Sequence, residues 1–140
     1  MKRYESLEHT ADMLIRAYGD TLSEAYAASA DALFGIITGH AVLSPRSSVA
    51  FEIEGLDAES LLVRFLSELI VRHEVDRVVM GNFEVHLLSE RHLKAVADVE
   101  PFSEALHSGG LHVKAVAYHL LQISGDPHDG PASVQVLFDI

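Results

Sequence analysis

The sequence predicts an α+β domain: two amphipathic helices packed on one face of a largely antiparallel β-sheet. Three observations carry this reading. Apolar residues recur at helical spacing in two stretches of the first half. Several stretches of the second half alternate apolar and polar residues. Turn signals separate all of them, and no repeat, low-complexity tract or linker divides the 140 residues, so residues 1–140 are expected to form one domain.

The elements follow in order. Residues 13–18 predict a short strand, with Gly19-Asp20 as the turn behind it. Thr21 and Glu24 then have the spacing of a capping box, in which hydroxyl and carboxylate each satisfy an orphan backbone donor. From there Leu22, Tyr26, Ser29, Leu33 and Ile37 fall on one stripe, so a first helix should run to Thr38-Gly39. Val49, Phe51 and Ile53 alternate with Glu52 and Glu54, which predicts a half-exposed strand. Asp57 can cap a second helix with the stripe Leu61, Leu62, Phe65, Leu66, Leu69, Ile70. Its wet face is expected to pair Arg64 with Glu68 and Glu68 with Arg72.

Beyond residue 77 the chain turns to strands. Val78 to Met80 predicts a short one, ended by a turn at Gly81-Asn82. Phe83, Val85 and Leu87 predict a second strand, and Leu93, Ala95, Ala97 and Val99 a third, joined by a hairpin loop at Ser89-Glu90-Arg91. Residues 101–110 predict an irregular connection, with Glu100 exposed at its start. Val113 to Ile123 predicts a long apolar strand and residues 125–131 a loop. Val134 to Phe138 predicts the last strand.

Composition narrows the function. The formal net charge is −11, from 21 acidic against 10 basic residues. The basic residues are scattered, which disfavours tight, direct binding of RNA or DNA and favours cations or basic protein partners. There is no cysteine, which excludes disulfides, thiolate metal sites and thiol nucleophiles. No apolar run approaches the ~20 residues of a membrane span, and no apolar signal core follows Lys2-Arg3, so a cytoplasmic protein is expected. No G-x-S-x-G, H-E-x-x-H or P-loop motif is present.

The strongest candidate site joins the two ends of the chain. Asp12 precedes a predicted strand and Asp139 follows one, so antiparallel neighbours would place both carboxylates at one end of the sheet. The carboxyl group of Ile140 adds a third source of oxygen. Two unit charges ~4 Å apart repel by about 1 kcal/mol in water and about 4 kcal/mol near a protein surface, so such a cluster calls for a cation, a proton or a basic group. An all-oxygen set matches Ca²⁺ or Mg²⁺ rather than zinc. His9 is a candidate ligand, proton carrier or orienting partner of Asp12. Lys114 interrupts an apolar strand and either snorkels at the sheet edge or reaches a carboxylate. The nine histidines form no tight zinc motif, and His112 and His119 differ in strand parity.

The ordered set His9-Thr10-Ala11-Asp12, Ala17-Tyr18-Gly19, Thr21 to Thr38, Leu61 to Leu66, Val113 to Val116 with Tyr118-His119, and Phe138-Asp139-Ile140 resembles the archease family nearly end to end. The resemblance implies two helices against a sheet and a non-catalytic accessory role toward the tRNA-splicing RNA ligase, which works through a guanylylated histidine. Archeases accelerate that guanylylation and permit multiple turnover. The resemblance makes Asp12 and Asp139 the metal-binding acids, Ile140 a carboxyl ligand, calcium the favoured ion, and His9 and Lys114 functional-surface residues of unassigned role. Two positions depart from the family pattern: Val99 stands where glycine is common and Ala117 where threonine is common. A metal-dependent hydrolase with His9 as general base, and a chaperone-like binding module, are the competing readings.

Overall fold

The computed structural model describes residues 1–7, 12–126 and 129–140. Its elements are β1 (Arg3–Leu7), β2 (Asp12–Gly19), α1 (Leu22–Thr38), β3 (Ser47–Glu54), α2 (Ala58–Asp76), β4 (Val78–Ser89), β5 (His92–Pro101), α3 (Glu104–His107), β6 (Ala115–Ser124) and β7 (Ala132–Asp139). The class is α+β, as expected, and every strand pairing is antiparallel. The strands divide between two sheets, ordered β1-β2-β7-β6 and β3-β5-β4.

The division follows from α1. Its Thr21 cap receives the Glu24 amide at 3.2 Å, and the Glu24 carboxylate reaches back to the Asp20 amide at 2.9 Å. A stripe of apolar residues would require cover on one side only. Yet Ala25, Ala27, Ala28, Ala30 and Ala32 are all buried, so nearly the whole circumference is covered. These small side chains let backbones approach from both sides. Accordingly α1 packs on β2 and β7 of one sheet and on β4 of the other.

Helix α2 starts at a full capping box: Ser60 donates its amide to Asp57 Oδ1 at 2.7 Å, and the Asp57 amide donates to Ser60 Oγ at 3.1 Å. Its apolar face places Phe65 against Phe51 and Phe83. Of the two expected ion pairs, Glu68 takes Arg72 at 2.9 Å, while Arg64 donates to the Glu54 carbonyl instead.

Three elements differ from expectation. β1 has no alternating signature, because only Tyr4 and Leu7 of this edge strand are half-buried. Gly81-Asn82 is not a turn but a bulge inside one long β4, with Asn82 left-handed at φ 52°. A Cβ on Gly81 would meet Leu43 Cδ1 at 2.5 Å. The irregular 101–110 connection contains the single turn α3.

Tyr26 joins the helices by donating to the Ala58 carbonyl at 2.7 Å. Burial, then the nearby Glu59 and Asp57 charges, push its hydroxyl well above the usual tyrosine range. The folded chain therefore holds this proton at pH values where the unfolded chain releases it. Stability should fall above pH ~10, by up to about 1.4 kcal/mol per pH unit. A Tyr26→Phe variant should show a shallower alkaline decline in denaturant titrations, and cost about 1 kcal/mol at neutral pH.

Candidate metal centre at the paired strand ends

The first residue of β2 and the last of β7 are direct partners: Asp12 stands opposite Asp139. Partners across an antiparallel pair project to the same face, with Cβ atoms about 4.5–5.5 Å apart. The next pair on that face is Leu14 with Leu137, both buried, so the aspartates sit one step beyond an apolar pair. Asp12 is half-buried and Asp139 is exposed. Ile140 packs its side chain against the core, which holds its carboxyl group next to Asp139.

Lys114 reaches the same place from the other side of β7. Its amide donates to the Asp139 carbonyl at 2.7 Å, and Ala115 pairs with Asp139. Lys114 is exposed and lies just ahead of β6 rather than within it. Of the sequence candidates, Asp12 and Asp139 stand opposite each other, Ile140 follows directly, and the Lys114 backbone meets Asp139. His9 lies outside the described residues.

The donors suit a hard cation. Two carboxylates and the Ile140 carboxyl group supply oxygen alone, short of the six to eight oxygens around Ca²⁺, so water would complete the shell. Among the described residues no group of three or more His, Asp or Glu side chains is placed to hold a metal ion.

Sequence reasoning missed what holds Lys114 in place. Glu100, expected on the surface, is 6% exposed. Its Oε1 meets His107 Nε2 at 2.7 Å and its Oε2 receives the Ser44 amide at 3.0 Å. His107 Nδ1 receives the Ser103 amide at 2.8 Å. A carboxylate leaves water when fixed donors surround it, which overrides the default of exposure. Gly110 then docks the segment on α1: a Cβ there would lie 2.1 Å from the Ile36 carbonyl oxygen, which accepts the Leu111 amide at 2.9 Å. The buried Val113 follows, and Lys114 emerges at the strand ends. The Gly109-Gly110 dipeptide was the only trace of this docking in the sequence.

The fold and site define a class: small α+β domains that bring two aspartates from distant chain segments to one end of a four-stranded sheet. The chain belongs to the archease family, since residues 4–140 match the family described as "Archease protein family (MTH1598/TM1083)". It is 41% identical to protein archease of Pyrococcus abyssi and 39% identical to that of Pyrococcus furiosus, each over 143 residues and the full length of both chains. The solution structure of Methanobacterium thermoautotrophicum protein 1598 superposes with a TM-score of 0.72 at 27% identity, covering 98% of each chain. The crystal structure of an archease from Thermotoga maritima, described as a possible chaperone, shares the fold with a TM-score of 0.63 at 19% identity, covering 97% of this chain and 96% of that one. Among the described residues, no helix is long and apolar enough to cross a membrane.

Proposed function

We propose that this chain is a non-catalytic activator of the tRNA-splicing RNA ligase, acting through a cation held by Asp12, Asp139 and Ile140. The observation that carries the reading is the direct pairing of Asp12 with Asp139. The partner is the one that the archease resemblance implies, and the net charge of −11 favours a basic partner surface. A ligase mouth that holds RNA ends and nucleotide phosphates must be basic, so an acidic tip speeds encounter and sets orientation. When bound, a divalent cation supplies charge stabilisation near phosphate oxygens. The chain itself contributes two carboxylates locked in strand register and a lysine whose amide fixes the Asp139 carbonyl.

The test is a guanylylation time course of the ligase, with and without substoichiometric amounts of this protein. Acceleration and repeated turnover are expected; an unchanged time course would refute the reading. Ion binding has its own readout. Calcium at about one hundred times its dissociation constant should stabilise the fold by about 2.7 kcal/mol. Calorimetric melting should show that gain in the wild-type chain and not in Asp139→Ala.

A further inference from the structure

A cavity of about 360 Å³ opens between β1, the last turns of α1, the loop that follows and the bulge of β4. That volume suits a small organic molecule. The buried Phe34, Val79 and Met80 give it an apolar floor. Two glycines bring the walls in. A Cβ on Gly35 would meet the Tyr4 hydroxyl at 2.8 Å and His40 Nδ1 at 3.0 Å, so these two rings lie directly on the helix backbone. Gly81 makes the same room for Leu43. The Tyr4 oxygen and His40 Nδ1 are 3.1 Å apart, and the rings are inclined by only 13°.

The chemistry of the lining is one-sided. Among the described residues no lysine or arginine lines the cavity. The polar side chains offer acceptors instead. Asp31 takes the Lys2 ammonium on Oδ2 at 2.7 Å and the Phe83 amide on Oδ1 at 3.2 Å, which uses two of the roughly four lone-pair sites of a carboxylate. The first of these bonds shows that this carboxylate accommodates a primary ammonium. Asn82 commits its amide nitrogen to Asp98 Oδ2 at 2.7 Å, which leaves its Oδ1. Burial, then the Asp31 charge, raise the Tyr4 hydroxyl above the usual tyrosine range, so it stays neutral. Whichever partner donates between Tyr4 and His40, a lone pair remains on the Tyr4 oxygen. The carbonyl end of α1 adds partial negative charge, and Tyr4 and Phe34 add ring faces that attract cations. An anion would meet the Asp31 carboxylate with no lining lysine or arginine to offset it.

We propose that this cavity binds a small organic ammonium, with its amine at Asp31, Tyr4 and Asn82 and its apolar body on Phe34 and Met80. The site is separate from the candidate metal centre. Tyr4 stands opposite Ala17, five residues along β2 from Asp12, which is about 17 Å of strand.

The test uses three ligands of one shape: tryptamine, a cation at neutral pH, the uncharged tryptophol and the anion indole-3-acetate. Each is titrated into the full chain by calorimetry and by amide chemical-shift mapping. Tryptamine should bind about tenfold more tightly than either of the others. It should shift the amides of His40, Leu43, Gly81 and Asn82 and leave that of Asp139 in place. Tyr4→Phe keeps the ring and removes one acceptor, whereas Asp31→Asn keeps the shape and removes the charge. Tryptamine should bind the first about threefold and the second about tenfold more weakly. No binding of tryptamine, equal affinity for all three ligands, or shifts centred on Asp139 overturns the assignment. Undiminished binding by both variants also overturns it. If Asp31→Asn fails to fold without its charge on Lys2, the ligand series and Tyr4→Phe decide by the same criteria. The activator reading is unaffected by either result.

Discussion

Replacing Asp139 with alanine should reduce multiple-turnover ligation to the rate of the ligase alone, without loss of fold. Asp139 is exposed and ends its strand, so no packing is removed. Its substitution also relieves a like-charge pair across the β2–β7 ladder, so stability should hold or rise by about 0.2–1 kcal/mol. Asp12→Ala should behave alike in the ligation assay, because the proposed ion would need both carboxylates as ligands. The double variant should be no worse than either single one, the signature of residues acting as a unit. Full stimulation by both folded single variants would remove the paired aspartates from the mechanism.

His107→Ala is the substitution expected to cost the most stability. The Ser103 amide can only donate, so His107 Nδ1 accepts, Nε2 carries the ring proton, and that proton points at Glu100. Removing the ring strips the buried Glu100 carboxylate of one of its two donors and opens a cavity. Losing a buried hydrogen bond to a charged group costs about 1.5–3 kcal/mol, and the cavity adds to it. For a chain of this length, that lowers the melting temperature by roughly ten degrees or more. Glu100→Gln should lose less, since its carbonyl still accepts from one donor. A His107→Ala variant that melts with wild type would show that the clamp does not secure the segment leading to Lys114.

What the sequence made legible was local. The Thr21 and Asp57 caps, the apolar stripe of α2 and the turn at Glu90-Arg91 depend on residues a few positions apart, and all are found. The division into two sheets depends on small residues around α1, whose meaning appears only when a second layer arrives. The bulge at residues 118–121 was read as regular strand, because nothing in an apolar run marks where its partner strand falls behind. The site was half legible. Strand direction implied that Asp12 and Asp139 share an end, but their direct opposition needed the register. Glu100 was misread because its donors, Ser44 and His107, come from two other segments.

The paired aspartates lie nearly a full chain length apart, and the strand that joins them, β7, sits in the middle of its sheet rather than at the rim. Pairings between such distant segments form late, because loop closure must precede any gain from contact. The acidic tip therefore comes into being only as the sheet itself is completed. A partly folded molecule lacks the paired aspartates on which the proposed activator role rests.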